Sequence, residues 1–335
     1  MEKRRKPGKV GTKKLEAYVR SIVREVREKG DAALIEFTKK FDNVDLSPKN
    51  LRVTQGEIKR AYGMVSEEQI SALRFMKERV ENLEKRLLEQ VTVQLEDNGV
   101  EVYGSPRPIQ SVGCYVPGGE AAYPSTLIMI AVPAKVAGVP RVVVCTPPTE
   151  NGRVNSLTLV AADLCKVDEV YRVGGAQAIA ALAYGTETLK PVRKIVGPGN
   201  RYVTMAKLLV SRDVAIDMPA GPSEILVLAD GTADARIIAL DMISQAEHSI
   251  DSISGLITTS KRLAEGVTAE LRRQIPAIPR SEIVAEALQR NGFLILCQTT
   301  DEAIELANTF APEHLEIITE DPRRVAEKIT SAGLV

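Results

Sequence analysis

Histidine is scarce in this sequence, with only two copies among 335 residues. His248 lies in SQAEHSID and His314 in FAPEHLEI, and each directly follows a glutamate. Imidazole titrates near neutral pH and is a frequent metal ligand. Any histidine-based proton transfer or metal binding is therefore confined to these two stretches. On composition alone, two ordinary histidines in a glutamate-rich chain remain the alternative.

Other absences exclude whole classes of partner. The chain has no tryptophan, and aromatic residues make up 4% of it, so stacking platforms for single-stranded nucleic acid are few. Lysine plus arginine and aspartate plus glutamate balance at 44 each, which gives no electrostatic argument for nucleic acid or an anionic membrane. No apolar run is long enough to span a bilayer. The sequence thus predicts neither nucleic acid nor membrane as a partner.

Paired cysteines are also missing. Cys114, Cys145, Cys165 and Cys297 are scattered, without a CxxC motif. The basic start of the chain has no apolar stretch behind it and does not resemble a secretory signal. We therefore expect free thiols in a reducing compartment and a cytoplasmic location. Cys114 lies in a glycine-rich loop, which makes it the one thiol to consider for a chemical role.

Periodicity predicts a helical start followed by α/β structure. Apolar residues recur at helical spacing over residues 14–40, interrupted at Gly30-Asp31, and over residues 56–92. Residues 91–104 predict a hairpin with Asn98-Gly99 as its turn.

From Pro106 onwards short apolar runs alternate with helical stretches, which is typical of βαβ units around buried parallel sheets. The fold class is therefore α/β. The predicted strands are 112–116, 141–145, 169–173, 194–196, 214–217, 225–229, 255–259, 292–297 and 315–318.

Glycine-rich turns follow several of these strands, in YVPGG (115–119), VGGAQAI (173–179), VGPGN (196–200) and MPAGPSE (218–224). Ligands of open parallel sheets bind beyond the carboxyl ends of strands, where glycine allows close approach. VGGAQA follows a strand and opens a helix as a phosphate-binding turn does. It is a weak dinucleotide fingerprint, because it is not GxGxxG and no acidic residue stands at the expected ribose position.

The two histidine stretches suggest different chemistry. Gln245 and His248 are three residues apart on a predicted helix and could share a metal ion, although two ligands do not close a tetrahedral site and an ordinary helical core is the alternative. Pro312 fixes the backbone before Glu313-His314, and such a pair suits acid–base catalysis. An isolated Glu-His dipeptide is not specific.

The last residues resemble the start of a further element. Residues 322–331 predict a helix with proline in its first turn, and Gly333 stands where a left-handed helix stop is expected. Leu334-Val335 then predict the beginning of another buried strand. A native terminus rarely falls there, so the pattern predicts that the chain has been cut short.

Taken in order, these stretches resemble the histidinol dehydrogenase family. The resemblance covers nearly the whole chain from about Val19, and no single motif carries it. The matching stretches are VREVREKGDAALIEFTKKFD, GCYVPGGEAAYPSTLIMIAVPAKVAGV, RVGGAQAIAALAYGTE, KIVGPGNRYVTMAKL, IDMPAGPSEILVLAD, SQAEHSIDS and NTFAPEHLEI.

The resemblance implies two Rossmann-like α/β/α domains of the aldehyde-dehydrogenase type with N-terminal helices. Residues 1–111 plus 224–335 would form the first, with the zinc and catalytic residues, and residues 112–223 an inserted NAD-binding domain. It implies an intertwined homodimer with one zinc ion per active site. The reaction would be the NAD-dependent oxidation of L-histidinol, through L-histidinaldehyde, to L-histidine, the last step of histidine biosynthesis.

The resemblance also implies residue roles. Zinc would hold the amine and imidazole of the substrate, His314 would be the base that deprotonates the alcohol and then the hydrate, and Glu313 would activate water. No nucleophilic role falls on Cys114, and the role of Glu247 stays open. The implied site residues are Tyr115, Gln177 and Asn200 for NAD, Ser223, Gln245, His248 and His314 for substrate, Gln245 and His248 for zinc, and Glu313 and His314 for catalysis.

One departure opens two alternatives. The family continues into a segment with an aspartate zinc ligand and a substrate-binding histidine, and then into a tail with a ligand histidine and a substrate glutamate. This sequence has two of the four zinc ligands and lacks that tail. It could be a truncated, catalytically silent relative that binds nucleotide or needs a partner chain, or an enzyme of the same fold acting on another amino alcohol. The retained residues argue against the first, and the intact GPSE motif argues against the second.

Overall fold

The structure, a computed structural model, describes residues 9–91, 93–118, 122–218 and 224–335, with side chains from Lys13 onwards. The described residues fall into two compact units that meet in sequence between Ala220 and Gly221. Within these residues, no helix combines the length and apolarity that crossing a bilayer requires.

The larger unit is built on a five-stranded parallel sheet with strand order β5-β4-β3-β6-β7. The order reverses between β3 and β6, which is the doubly wound arrangement with a switch point at that place. Its elements are α1 (Lys9–Lys29), α2 (Asp31–Asp42), α3 (Gln55–Tyr62), α4 (Glu67–Gln90), β1 (Val93–Asp97), β2 (Val100–Gly104), β3 (Val112–Tyr115), α5 (Pro124–Val136), β4 (Val142–Cys145), α6 (Ser156–Leu164), β5 (Glu169–Tyr171), α7 (Gly175–Tyr184), β6 (Lys194–Val196), α8 (Arg201–Val210) and β7 (Ala215–Ile216).

The break between α1 and α2 has a local cause. Gly30 adopts a left-handed backbone (φ 56°), which glycine tolerates far better than residues with a side chain. A Cβ there would collide with the carboxylate of Glu187, which accepts a hydrogen bond from the Asp31 N–H at 2.7 Å. The helical spacing predicted over residues 14–40 is confirmed, including this interruption.

The sheet carries helices on both faces, and the N-terminal helices supply part of each layer. Val19 of α1 and Leu34 of α2 share one buried cluster with Val143 of β4. Ile70 of α4 shares the opposite cluster with Val142. The alternation follows from the strand period of two, which sends neighbouring side chains to opposite faces.

This packing groups the chain differently from the predicted domains. Residues 1–111 were expected to belong with residues 224–335, but the helices of this segment are packed in the unit that holds residues 112–216. The physical reason is that an amphipathic face specifies burial without specifying which sheet it covers.

The predicted hairpin is present as an antiparallel pair, β1 and β2, turning at Asn98-Gly99. Both turn residues have positive φ, 49° and 82°, as a type I′ turn requires. Val93, Leu95, Val100 and Val102 share one face, and all four side chains are exposed.

The smaller unit is built on a four-stranded parallel sheet with strand order β10-β9-β8-β11. Along β8, Leu226 and Leu228 enter the cluster on one face while Val227 and Ala229 enter the other. The elements are β8 (Glu224–Ala229), α9 (Ala235–Ala246), β9 (Ile253–Thr258), α10 (Lys261–Gln274), α11 (Ser281–Asn291), β10 (Phe293–Leu296), α12 (Thr300–Phe310), β11 (His314–Ile318) and α13 (Pro322–Ala326).

The end of the chain corrects three expectations. Helix α13 ends at Ala326, five residues before the predicted 331. Gly333 is not left-handed; it permits a close approach, because a Cβ there would lie 2.6 Å from the Glu313 carbonyl oxygen. Leu334 forms an isolated parallel bridge with His314 of β11, and Leu334 and Val335 are exposed, whereas the start of a buried strand was predicted.

Candidate functional site

Three residues expected to bind a dinucleotide line one cavity of the larger unit. Tyr115, Gln177 and Asn200 surround a volume of about 370 Å³. Tyr115 ends β3, and Asn200 follows β6, so both lie at the switch point of the sheet. Ligands of doubly wound sheets bind at this position, which makes the cavity the candidate dinucleotide site.

Tyr115 is held as a hydrogen-bond donor toward the cavity. Its hydroxyl accepts the N–H of Gly175 at 3.1 Å. Burial raises the pKa of Tyr115 to about 12, and the nearby charge of Asp42 contributes in the same direction. The phenol therefore stays protonated near neutral pH and keeps a proton to donate.

Gln177 brings an unsatisfied acceptor to the same cavity. Its side chain is buried, and Oε1 has no hydrogen-bond partner among the residues that the structure describes. Gly175 is left-handed (φ 66°), and a Cβ there would lie 2.6 Å from this Oε1. A buried acceptor without a partner is costly in a folded protein, so this atom indicates a ligand that donates a hydrogen bond.

Asn200 is fixed by its role as a helix cap. Its Oδ1 accepts the N–H groups of Tyr202 at 3.0 Å and Val203 at 3.2 Å, which starts α8. Because Oδ1 forms the helix cap, the amide nitrogen is the part of the Asn200 side chain that a ligand can contact. Amide and backbone donors at the start of a helix suit an anionic group such as a pyrophosphate.

A buried ion pair supports this loop and had no signal in the sequence. Lys207 is 2% exposed, pairs with Asp217, and donates to the Gly197 carbonyl at 2.8 Å. Asp217 accepts the Gly197 N–H at 2.7 Å. The pair thus holds both polar groups of Gly197, three residues before Asn200. Lys207 and Asp217 are ten residues apart, so no local pattern could have joined them.

In the smaller unit, Glu313 and His314 are both anchored by the backbone of Glu224. The Glu224 N–H donates to Glu313 Oε2 at 3.1 Å, and His314 Nδ1 lies 3.2 Å from the Glu224 carbonyl oxygen. His314 Nδ1 and Glu313 Oε2 are 3.6 Å apart. The arrangement arises because β8 and β11 are parallel neighbours, with His314 opposite Ile225.

This anchoring assigns roles to the two imidazole nitrogens of His314. A carbonyl oxygen can only accept, so Nδ1 carries the proton that it donates to Glu224, and Nε2 is left as the basic atom. Side chains of His314 and Glu313 are 44% and 40% exposed, which leaves both within reach of a substrate. The pair can therefore take a proton at one atom and activate water at the other.

Gln245 lies in the last turn of α9, and His248 lies two residues beyond its end, so the predicted helix stops before the histidine. His248 Nδ1 is 2.9 Å from the Ser244 carbonyl oxygen, which leaves Nε2 for a metal ion, the arrangement usual for histidine ligands. In the described ranges, no group of three or more histidine, cysteine, aspartate or glutamate side chains could hold a metal. His248 thus offers one nitrogen atom to a metal ion, and its pairing with Gln245 stays a prediction. Ser223, the expected substrate contact, lies outside the described residues.

All four of these side chains belong to the same edge of the four-stranded sheet. Glu313 and His314 stand where β11 begins, and α9 runs back from the end of β8 to the start of β9. The end of α9 is therefore at the edge where the parallel strands begin. This is the amino edge, opposite to the carboxyl edge that ligands of such sheets usually occupy.

Two residues considered for a chemical role do not belong to the site. Glu247 forms an ion pair with Arg280, 3.6 Å apart. Cys114 is fully buried, and burial raises the pKa of its thiol far above the ordinary value. The reactive thiolate is therefore not available.

A carboxyl pair next to these residues escaped the sequence analysis. Asp241 precedes Gln245 by one helical turn, and Glu316 follows His314 on the same face of β11. Burial raises the pKa of both carboxyls, and Asp241 raises that of Glu316 further. The four-residue and two-residue spacings were visible in the sequence, but nothing local indicated that the two would meet.

Two doubly wound parallel sheets with a cavity at one switch point define a Rossmann-like α/β enzyme fold. Solved structures agree. An acetylating aldehyde dehydrogenase from Geobacillus thermoglucosidasius matches 96% of this chain and 86% of its own at a TM-score of 0.52 and 15% identity, which shows the fold alone. The predicted aldehyde-dehydrogenase-like α/β fold is confirmed.

The chain belongs to the histidinol dehydrogenase family. The family model "Histidinol dehydrogenase" matches residues 5–335. The histidinol dehydrogenase of Clostridium acetobutylicum is 50% identical over 317 residues, which are 95% of this chain and 73% of that protein. The crystal structure of the Elizabethkingia anophelis enzyme matches at a TM-score of 0.90 and 39% identity, over 96% of this chain and 74% of its own.

Proposed function

We propose that this protein oxidises L-histidinol to L-histidine with NAD⁺ as the hydride acceptor, in the last step of histidine biosynthesis. The observation that carries the proposal is the anchoring of Glu313 and His314 by the two polar backbone groups of Glu224. A silent relative has no physical need for such a pair. The buried thiols favour a reducing, cytoplasmic environment.

The proposed reaction has two oxidation stages. In the first, His314 Nε2 takes the proton of the substrate hydroxyl as a hydride leaves the same carbon, which gives the aldehyde. Before the second stage, His314 would release this first proton to solvent. In the second stage, Glu313 would activate the water that adds to the aldehyde, and His314 would deprotonate the hydrate as a second hydride leaves. NAD⁺, when bound, would accept one hydride at each stage. General base catalysis of this kind contributes roughly 10²–10⁴-fold to rate.

The residues of the larger unit fit a dinucleotide. The cavity holds a donor at Tyr115, an acceptor at Gln177 that has no partner in the described part of the chain, and the helix start at Asn200. These groups would orient NAD⁺ by hydrogen bonds and place its anionic part at a helix N-terminus. They take no part in proton transfer.

The proposal includes one zinc ion per active site, held in part by Gln245 Oε1 and His248 Nε2. Bound zinc would supply a positive charge that orients the amine and imidazole of L-histidinol. The hydrogen bond to the Ser244 carbonyl uses His248 Nδ1. This leaves Nε2 as the donor atom for zinc, as is usual for histidine ligands. The chain spans about three quarters of the relatives it matches, and two further ligands would complete a tetrahedral site.

One experiment tests both cofactors. The purified protein, supplied with Zn²⁺, is incubated with L-histidinol and NAD⁺, and NADH and L-histidine are counted. We expect two NADH for each L-histidine, because an alcohol loses four electrons on the way to a carboxylate. A chelator should abolish the reaction, and added Zn²⁺ should restore it. Equal activity with and without chelator would refute the zinc proposal, and reduction of another acceptor in place of NAD⁺ would refute the cofactor.

A further inference from the structure

Asp42 is an acidic residue that forms no ion pair with the residues that the structure describes. It is the last residue of α2, and the following Asn43 is left-handed (φ 54°). The end of a helix carries partial negative charge, so a carboxylate there is unfavourable. Its Oδ2 is buried and has no hydrogen-bond partner within the described ranges. A residue that breaks two local rules at once points to function.

The carboxylate lines the candidate dinucleotide cavity together with Gln177. Burial raises the pKa of Asp42 to about 6, so the group is still charged at pH 7 to 8. Among the described residues that line the cavity, none is a lysine, arginine or histidine. The place beside Asp42 therefore suits a ligand group that donates hydrogen bonds and carries no negative charge. Neighbouring hydroxyls of a ribose meet both conditions.

Aromatic side chains at the cavity favour a ligand that contains a flat ring, such as adenosine. The chain has only eight tyrosines and five phenylalanines, yet Tyr18, Phe41, Tyr115 and Tyr202 all line this cavity. Phe41, next to Asp42, is 44% exposed, and its ring is stacked on Phe37 with centroids 5.7 Å apart. Aromatic side chains at a cavity suit contact with a flat heteroaromatic ring such as adenine.

We propose that the Asp42 carboxylate accepts the hydroxyls of the adenosine ribose and thereby makes the site prefer NAD⁺ over NADP⁺. This rests on the proposed function, because it assumes that the cavity binds a dinucleotide. NADP⁺ differs from NAD⁺ only by a phosphate on the 2′-oxygen of this ribose. That phosphate removes a donor and places negative charge beside the carboxylate.

Asp42 then supplies the acid that the glycine-rich turn lacks. In the usual fingerprint a carboxylate about 20 residues beyond the glycines binds the ribose. Here VGGAQA has none at that distance, and the carboxylate comes from α2, well over a hundred residues earlier in the chain.

The test is a comparison of NAD⁺ and NADP⁺ binding to the wild-type protein and to Asp42→Asn and Asp42→Ser by isothermal titration calorimetry at pH 8. We expect NAD⁺ to bind both variants about tenfold more weakly or worse, the loss of a hydrogen bond to a charged group. We expect the affinity for NADP⁺ to stay unchanged or rise, so that the ratio of the two affinities falls at least tenfold. The control is Asp45→Asn, an exposed carboxyl that pairs with Lys39 and lies outside the cavity.

Thermal melting separates lost binding from lost folding. The pKa of Asp42 is raised, so its contribution to stability is present at acid pH and is lost as pH rises through about 6. Asp42→Asn should therefore melt no lower than wild type at pH 8. NAD⁺ binding within twofold of wild type in the variants, or an equal loss for NAD⁺ and NADP⁺, would overturn the proposal for Asp42 alone. A wild-type protein that binds neither dinucleotide would overturn the proposed cofactor as well.

Discussion

At the scale of single residues, the proposed chemistry depends on which side-chain atoms are already hydrogen-bonded to the backbone. Glu224 holds the Glu313 carboxylate through its N–H and the His314 ring through its carbonyl oxygen. Its own side chain takes no part in these bonds, so replacing Glu224 with any residue other than proline keeps both backbone groups. This is why the sequence identified Glu313 and His314 and did not identify Glu224.

The carboxyl pair beside Glu313 and His314 predicts a pH-dependent stability. The pKa of Glu316 is raised by burial and by Asp241, so its contribution to stability is present at acid pH and is lost as pH rises. Glu316→Gln removes a carboxylate that is unfavourable when charged. We expect the variant to melt about 1–4 °C above wild type at pH 8, with the difference vanishing near pH 4.

The measurement is a series of thermal melts from pH 4 to pH 8. Glu305→Gln on α12 is the matched control, because this carboxyl is exposed and should leave the melting temperature unchanged at every pH. A Glu316→Gln variant that melts below wild type at pH 8 would show that the charged carboxylate stabilises the fold.

At the scale of elements, the hairpin carries an exposed apolar face that suggests a contact with another chain. A two-stranded hairpin is marginally stable alone, and the apolar face of β1 and β2 is exposed in all four of its members, Val93, Leu95, Val100 and Val102. The opposite face carries Glu96 and Glu101. We propose that a second copy of this chain covers the apolar face in the homodimer that the family resemblance implies.

This proposal predicts a change in oligomeric state. Leu95 and Val102 are direct cross-strand partners, and replacing both with aspartate would place two charges in the proposed interface. We expect sedimentation velocity to show a dimer for wild type and a monomer for Leu95→Asp/Val102→Asp. Glu96→Gln, on the opposite face of the hairpin, should remain a dimer. A double variant that still sediments as a dimer would exclude this face.

Elements with a strong local pattern were predictable from the sequence. The strands of both sheets were found because short apolar runs between helices are typical of buried parallel strands, and Asn98-Gly99 fixed the hairpin turn. The end of α13 was misjudged by five residues, because Gly333 was interpreted as a left-handed helix stop and the helix ends well before it.

At the scale of the whole molecule, the sequence predicted candidate site residues but not the groups that meet around them. Tyr115, Gln177 and Asn200 line the cavity, and each lies in a glycine-rich turn that is recognisable in the sequence. Asp42 reaches the same cavity from a helix more than seventy residues before Tyr115, and no spacing rule spans that distance. The N-terminal helices were assigned to the wrong sheet for the same reason, since their patterns show burial without a partner.

The central claim is that His314 is the base for oxidation of L-histidinol by NAD⁺. The most direct measurement compares the rate of NADH formation by wild type and His314→Asn, with NAD⁺ affinity measured in parallel. We predict a loss of about 10²-fold or more in kcat with unchanged NAD⁺ affinity, because the base is removed while the dinucleotide cavity is untouched. A variant that oxidises L-histidinol at nearly the wild-type rate would contradict the account.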